Sequence, residues 1–215
     1  MTVDWRLQLK RALIVIDVQN EYVTGRLPIG YPSLEVSLAN IGKAMDVARG
    51  AAIPVVVVQQ VAPVTSPIFA RGSEGAALHP AVARRPHEHL LEKALPSCFA
   101  GTDLADWLVA RDVDTIAIVG YMTQMCDEST ARDAAHRGLA VEFLSDATGT
   151  LALSNSEGSL TAEQLHQAVL VILHSRFAAV ATTVEWVDAI ATGRPLEGSS
   201  LYASTEIARG AIASG

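Results

Sequence analysis

The stretch ALIVIDVQN (residues 12–20) places an acid directly after a short run of apolar residues. A run of five apolar residues with Ile or Val at three positions has the length and composition of a strand buried on both faces. Such strands form parallel sheets that helices cover on both sides, and ligands bind at the carboxyl ends of the strands. The stretch therefore predicts a buried strand over residues 12–16, with Asp17 at the ligand-binding edge of the sheet.

The rest of the chain alternates in the same way between short apolar runs and segments of helical period. Strands are predicted over residues 12–16, 53–59, 89–93, 114–119, 139–144 and 178–181, and helices over residues 33–49, 102–111, 125–137, 161–174 and 183–190. Because crossovers between parallel strands are right-handed, this order predicts an α/β fold with a three-layer, doubly wound, mostly parallel sheet of six strands. We expect one domain over residues 1–191. The remaining residues, 192–215, are expected to form an extension that is either flexible or in contact with a neighbouring subunit.

The composition limits the class of partner and the compartment. Half of the 215 residues are hydrophobic, and 16 Lys and Arg against 23 Asp and Glu give a formal net charge of −7. Because the chain has no basic stripe, we expect neither nucleic acid nor a membrane as a partner. The N-terminal segment MTVDWRLQLKR lacks the apolar core of a secretory signal, and two cysteines make no disulfide framework. These features predict a cytoplasmic protein that acts on a small molecule.

Two charged residues lie where predicted strands end. Asp17 follows the first strand, where partial desolvation suits a general base; its alternative role is that of a turn or capping residue. Lys93 ends the third strand within LEKALP, and a lysine in such a place is more often a solvated surface charge than a functional group. Each residue alone is weak evidence for a site, but both strands end at the same edge of the predicted sheet.

Cys126 follows the fourth strand, where the chain turns into the helix predicted over residues 125–137. A thiol at a helix N-terminus feels the positive end of the helix dipole, so we expect its pKa to fall and its thiolate to be present near neutral pH. The N–H groups of the same helix end can hold an oxyanion during acyl transfer. The alternative is an inert buried cysteine. With Asp17 as base and Lys93 as a nearby positive charge, Cys126 completes a coherent catalytic set.

Four longer stretches resemble the isochorismatase-like cysteine-hydrolase superfamily: ALIVIDVQNEY, IPVVVVQQ, LEKALPSCFAGTDL and VGYMTQMCDESTARDAAHRGLAVEFLSDATGT. The resemblance covers roughly residues 11–191, and the loop over residues 67–80 is similar to that of streptothricin hydrolases, an amide- or lactam-hydrolysing branch. It implies an isochorismatase-like fold and a triad of Asp17 as base, Lys93 as electrostatic support and Cys126 as nucleophile. It also implies a cis peptide bond between Tyr121 and Met122, and an oxyanion hole made by the backbone N–H groups of Met122 and Cys126.

The residues nearest to these motifs are the first candidates for substrate binding: Tyr22, Gln59, Gln60, Phe69 and Tyr121. Each has a simpler alternative, either core packing or a wet surface, and core packing is the better prediction for Tyr22 and Phe69. We therefore take the five residues as hypotheses whose positions the tertiary structure has to decide.

No metal or organic cofactor is predicted. Nicotinamidases of the superfamily carry an Asp-x-His plus His metal cluster after the second strand, whereas this chain reads QQVAPV at residues 59–64. His87 and His89 alternate on one short segment, but no third ligand is evident, so surface or capping roles are expected. The chain also lacks a Gly-x-Gly-x-x-Gly fingerprint, a Walker loop and a haem motif.

These observations favour a cysteine-dependent hydrolase that cleaves the C–N bond of a small carboxamide or lactam through a thioester. One alternative is vinyl-ether hydrolysis of the isochorismate type, with Asp17 as the acid and no nucleophilic thiol. Another is a non-catalytic member of the superfamily that serves as a binding or scaffolding subunit. Cys98, a rival thiol, is expected in the core. By resemblance, the protein is expected to form a homo-oligomer, a dimer or larger.

Overall fold

The computed structural model describes residues 9–213, and six of its strands form one parallel sheet. Most of the charged N-terminal segment lies outside the described residues. The six strands are β1 (Arg11–Ile16), β2 (Val55–Gln60), β3 (His89–Lys93), β4 (Thr115–Tyr121), β5 (Ala140–Gly149) and β8 (Ala179–Ala181). Their order is β3-β2-β1-β4-β5-β8, and every neighbouring pair is parallel. The prediction of six strands in a mainly parallel α/β sheet is confirmed.

Helices cover both faces of this sheet and complete the three layers. They are α1 (Leu34–Gly50), α2 (Pro80–Ala83), α3 (Leu104–Val109), α4 (Glu128–His136), α5 (Ala162–His174), α6 (Thr183–Thr192) and α7 (Leu201–Ala213). Side chains of α1, α2 and α6 join the core on one face, and side chains of α3, α4 and α5 join the core on the other. None of the helices in the described part of the chain is long and apolar enough to cross a membrane.

The β1 strand supplies both cores, because successive side chains of a strand point to opposite faces. Ile14 and Ile16 pack on the side of α3, α4 and α5, whereas Leu13 and Val15 pack on the side of α1 and α6. All four side chains are fully buried. The apolar run of the sequence is therefore a central strand, with β2 on one side and β4 on the other.

The strand order reverses direction at β1. From β1 the chain proceeds outward through β2 to β3, and then returns to the other side of β1 as β4. In open parallel sheets this reversal leaves a crevice at the carboxyl ends of the two central strands, because the connections leave in opposite directions. Asp17 directly follows β1, and Cys126 lies shortly after β4, so both reach this crevice.

Three local features differ from the sequence prediction. The segment before α4 is a π-helical turn, Thr123–Asp127, so Cys126 lies in a wide turn and not in the α-helix itself. An antiparallel hairpin of β6 (Leu153–Asn155) and β7 (Gly158–Leu160) was not predicted, because its strands have only three exposed residues each. The C-terminal extension contains α7, which exposes Leu201, Tyr202 and Ile207. The division into a domain and an extension stays a prediction.

Gly120 provides a test of the close contact between the two central strands. It pairs with Ile16, has a φ of 127°, and a Cβ there would lie 2.0 Å from the Ile16 carbonyl oxygen. Gly120→Ala is expected to lower the free energy of unfolding by about 3 kcal/mol or more, because the strands must separate to admit the methyl group.

Urea denaturation of Gly120→Ala beside Gly50→Ala measures this effect. Apart from its chain neighbours and the backbone of its own helix, no atom of the described residues lies within 4 Å of a Cβ added at Gly50, in the last turn of α1. The control is therefore expected to raise the free energy of unfolding by about 0.5–1 kcal/mol, as is usual for Gly to Ala in a helix. Equal stability of Gly120→Ala and wild type would contradict the close approach.

Candidate active site

The Lys93 ammonium group contacts the other two residues that the motifs single out, Asp17 and Cys126. Its Nζ atom lies 2.7 Å from Asp17 Oδ2 and 3.2 Å from Cys126 Sγ. A third contact of 2.7 Å connects it to Gln60 Oε1. The side chains of Lys93 and Asp17 are inaccessible to solvent, and Cys126 is 6% exposed. Residues from three separate segments of the chain thus meet in one buried cluster.

Lys93 has to reach across a strand to make these contacts. It lies on β3, an edge strand two positions from β1, which corresponds to about 10 Å across the sheet. The alternation of β3 directs Leu91 and Lys93 to the buried side and Glu92 to solvent. Gln60, the strand neighbour of Lys93 on β2, accepts a hydrogen bond from the ammonium on its path to Asp17. Only a long cationic side chain spans this distance.

Asp17 is held in an uncommon backbone conformation. Its φ is 51°, a left-handed value that costs a non-glycine residue about 1–3 kcal/mol but that Asp tolerates better than most. The backbone N–H of Asp17 still donates to the Val58 carbonyl at 3.0 Å, as a strand residue would. The chain therefore continues the sheet to this residue and then turns sharply.

Cys126 owes its place to the turn after β4. A cis peptide bond joins Tyr121 to Met122, as the resemblance implies. The Met122 carbonyl then accepts hydrogen bonds from the N–H groups of Met125 at 2.9 Å and Asp127 at 3.3 Å, which closes the wide turn around Cys126. Met122 and Cys126 both line the adjacent pocket. The oxyanion hole from their backbone N–H groups stays a prediction.

The electrostatics of the cluster correct one expectation. Burial raises the pKa of the Cys126 thiol, and the charge of Asp17 raises it further, against the lowering effect of Lys93. The expected fall in this pKa is wrong for the resting protein, because desolvation outweighs a short helix dipole. Burial also raises the pKa of Asp17. For Lys93, burial acts to lower the pKa, but the negative charge of Asp17 acts to raise it and the pKa is raised overall, so the ammonium persists.

A pocket of about 250 Å³ opens onto Cys126. Its far wall comes from the segment after β1 and from the loop after β2, and its near wall comes from the ends of β3 and β4. The lining residues are Tyr22, Leu27, Ile68 and Phe69 on the far wall, Ala94, Pro96, Met122 and Met125 on the near wall, and Gln60 and Cys126 at the base. The pocket is therefore mainly apolar, and the Cys126 thiol is part of its lining.

Two buried polar side chains hold the loop that forms the far wall. The Gln19 amide donates to the carbonyls of Gln60 at 2.9 Å and Ala76 at 2.7 Å. The Glu21 carboxylate accepts from the backbone N–H of Arg26 at 2.7 Å and Phe69 at 3.5 Å. The loop between β2 and β3 thus forms part of the pocket wall, and hydrogen bonds from Gln19 and Glu21 anchor it.

The five substrate-binding candidates separate into two groups. Tyr22, Gln60 and Phe69 line the pocket. Gln59 instead donates to the Ala76 carbonyl at 2.7 Å, and Tyr121 lies fully buried behind Tyr22, with a ring distance of 5.6 Å. Leu27, Ile68 and Met125 were missed, because a loop residue carries no periodic signal that would assign it to a pocket.

A sequence model of the isochorismatase domain matches residues 11–185. The chain belongs to the isochorismatase family. The predicted resemblance is therefore confirmed, and the protein is a hydrolase of this family.

Individual relatives agree with this assignment. A Burkholderia xenovorans LB400 protein of the isochorismatase type, known from a crystal structure, is 58% identical with a TM-score of 0.95, over 96% of this chain and 99% of that one. The isochorismatase family protein YddQ of Bacillus subtilis is 30% identical over 80% of this chain and 96% of its own length. Streptothricin hydrolase of Streptomyces noursei is 31% identical over 69% of this chain and 58% of its own.

Three residues of this isochorismatase-family chain that were considered as a rival nucleophile or as metal ligands have other surroundings in the fold. Cys98 is fully buried, and burial raises the pKa of its thiol. His89 stacks on Trp107, and its Nε2 lies 3.0 Å from Asp103, while His87 Nδ1 lies 3.1 Å from the Arg85 carbonyl. Within residues 9–213, no group of three or more His, Cys, Asp and Glu side chains could hold a metal ion.

Asp127, next to Cys126, is a buried acid that sequence analysis did not single out. Both of its carboxyl oxygens are buried and have no hydrogen-bond partner among the described residues. Burial raises its pKa well above the usual range, and the nearby charge of Asp17 adds to this effect. The folded protein therefore holds a proton on Asp127 that the unfolded chain releases near the ordinary value of 3.8.

This difference makes stability depend on pH. Because the pKa of Asp127 is raised in the folded state, its contribution is complete below about pH 4 and is lost as the pH rises toward the folded value. Asp127→Asn, which cannot ionise, is expected to gain melting temperature relative to wild type as the pH rises from 4 to 8. Thermal melts across this range measure the difference. Asp106→Asn, at an exposed position of α3, serves as the control and should show no comparable trend.

Proposed function

We propose that the protein hydrolyses the C–N bond of a small carboxamide or lactam through a thioester on Cys126. The observation that supports this proposal most directly is that the Lys93 ammonium contacts both a carboxylate and the thiol at the base of an apolar pocket. The similarity to a protein named streptothricin hydrolase supports an amide-type substrate.

The charges of the resting cluster explain how a thiol of raised pKa can react. At rest, the 2.7 Å contact with the Lys93 ammonium favours a carboxylate on Asp17 against the effect of burial, which raises the pKa of Asp17, and Cys126 stays protonated. A second anion beside Asp17 is costly in a buried site. Transfer of the thiol proton to Asp17 creates the thiolate without changing the total charge, so Lys93 then balances the sulfur. The Lys93 ammonium therefore balances the negative charge of Asp17 first and that of Cys126 after the proton transfer.

In the first half of the reaction, Asp17 takes the proton from Cys126, and the sulfur attacks the carbonyl carbon. The C–S bond forms, and the carbonyl electron pair moves onto oxygen, where the N–H groups of Met122 and Cys126 are proposed to stabilise it. When the carbonyl re-forms, the C–N bond breaks, and the proton on Asp17 moves to the departing nitrogen. Ammonia or an amine leaves, and the acyl group remains on Cys126 as a thioester.

In the second half, Asp17 takes a proton from water, whose oxygen attacks the thioester carbon. The C–S bond breaks, the proton returns to the sulfur, and a carboxylic acid leaves. For a lactam the released amine and acid stay in one ring-opened molecule. The residues of the cluster complete this cycle without an organic cofactor. We propose that the enzyme works in the cytoplasm as a homo-oligomer.

Replacement of each cysteine by alanine tests which thiol is the nucleophile. Cys126→Ala is expected to reduce amide turnover by at least about 10⁴-fold, because it removes the atom that forms the thioester. Cys98→Ala, a change in the core, is expected to retain more than half of the activity. Ammonia release from a panel of small amides measures both, and intact-mass measurement during turnover is expected to show an acyl adduct that hydroxylamine removes.

Two outcomes would favour the alternatives. Turnover of isochorismate by Cys126→Ala would favour vinyl-ether hydrolysis, with Asp17 as the acid. Failure to hydrolyse any amide or isochorismate, with no adduct on Cys126, would favour a non-catalytic subunit. Loss of activity in Cys98→Ala but not in Cys126→Ala would contradict the proposal and would indicate Cys98 as the nucleophile.

A further inference from the structure

The pocket beside Cys126 restricts the charge of any substrate, and this restriction deepens the proposed function on which it rests. Eight of the ten lining residues contribute aliphatic, thioether or aromatic surface, and none of the ten carries a charge. A charged group in such a pocket loses its hydration and gains no ionic partner, which costs several kcal/mol. The walls therefore favour an uncharged, apolar group.

Lys93, which contacts Gln60 and Cys126 at the base of the pocket, already has partners within the protein. An ammonium group has three N–H donors, and Lys93 has three short contacts, with Asp17, Gln60 and Cys126. The nearby guanidinium of Arg71 forms a two-point ion pair with Glu92 on the surface. A substrate carboxylate would have to displace one of these partners to find a positive charge.

The side-chain amide of Gln60 is also occupied by hydrogen bonds within the protein. Its Oε1 atom accepts from Lys93 at 2.7 Å, and its Nε2 atom donates to the Ala94 carbonyl at 3.2 Å. The amide therefore closes the base of the pocket and holds the ammonium in place. Its hydrogen-bonding groups already have partners within the protein.

The Tyr22 phenol differs from every other polar group of the pocket. Tyr22 is 2% exposed, it lines the pocket, and its hydroxyl has no hydrogen-bond partner among the residues that the structure describes. Its ring is wedged against Phe69 at 5.2 Å and Tyr121 at 5.6 Å, so it cannot easily turn away. By contrast, the Tyr121 hydroxyl lies 2.8 Å from Ser37 Oγ. Burial raises the pKa of Tyr22 well above its usual range, so the hydroxyl keeps its proton and can donate.

We infer that the site selects an uncharged substrate whose acyl group is compact and apolar, and that the Tyr22 hydroxyl donates a hydrogen bond to a polar atom of that substrate. Amides that carry a carboxylate on the acyl chain are disfavoured, because the ten lining residues offer it no charged partner. The Tyr22 hydroxyl, which has no hydrogen-bond partner among the described residues, gains one when a substrate fills the pocket.

Matched amides test the charge selectivity. Pentanamide and glutaramate differ by a methyl group in place of a carboxylate, and benzamide and 4-carbamoylbenzoate form a second pair. The neutral member of each pair is expected to have a kcat/KM about 100-fold or more above that of the anionic member. Equal values, or a preference for the anionic members, would overturn the inference.

Alkylation of the thiol tests the same selectivity without hydrolysis. In a Cys98→Ala background, Cys126 is the one remaining thiol of the 215-residue chain. The rate ratio of iodoacetamide to iodoacetate is expected to exceed the ratio for free glutathione at least tenfold. If this ratio is high but no amide is cleaved, the proposed hydrolysis fails and the selectivity stands. A ratio at or below that of glutathione overturns the selectivity even if amides are cleaved.

Tyr22→Phe tests the phenol. For the best neutral amide, the loss of one hydrogen bond between uncharged groups is expected to lower kcat/KM about tenfold. The melting temperature should not fall, because the hydroxyl has no hydrogen-bond partner among the residues that the structure describes. Tyr31→Phe removes a phenol outside the pocket and serves as the control. Unchanged kinetics in Tyr22→Phe, or a fall in melting temperature that accounts for the lost activity, would overturn the role of the phenol.

Discussion

The site depends on one buried contact, the ion pair between the Lys93 ammonium and the Asp17 carboxylate at 2.7 Å. Two charges removed from water are stable only when each has a partner close by. Without Lys93, the Asp17 carboxylate would have no counter-ion in a fully buried position, and the thiol of Cys126 would have no cation to support its ionised form. The same ammonium therefore allows the acid to be buried and lies 3.2 Å from the Cys126 sulfur.

A second buried ion pair in the molecule shows what a purely structural pair looks like. At the opposite end of the sheet, the Arg11 guanidinium donates to both carboxylate oxygens of Glu142, and the Trp186 indole N–H donates to the same carboxylate. The donors and acceptors of this pair fit one another, and they include no thiol. The Lys93 pair differs because Cys126, a thiol that lines an apolar pocket, shares the ammonium. Burial of charge alone is thus no sign of catalysis, whereas a shared cation beside a nucleophile is.

The strand order and the loop conformations convert separate segments into this arrangement. Because the order reverses at β1, the segments after β1 and β4 meet, and the lysine of an edge strand can reach them across β2. The left-handed φ of Asp17 and the wide turn that contains Cys126 then direct both residues toward the lysine. The anchored loop after β2 encloses the remaining side with apolar surface, so solvent is excluded from most of the cluster.

The sequence by itself determined the six strands and the three layers, and it indicated that Asp17, Lys93 and Cys126 lie at one edge of the sheet. Apolar periodicity encodes which strands are buried, and the ends of parallel strands converge in every fold of this class. Only the tertiary structure decided that the Cys126 pKa is raised and that Tyr22 faces the pocket while Tyr121 lies behind it. It also decided that the carboxyl oxygens of Asp127 are buried with no hydrogen-bond partner among the described residues. The physical reason is the separation along the chain of the residues that produce each effect. Strand formation follows from neighbouring residues, whereas desolvation, ion pairing and pocket shape depend on atoms that segments far apart in the chain bring together.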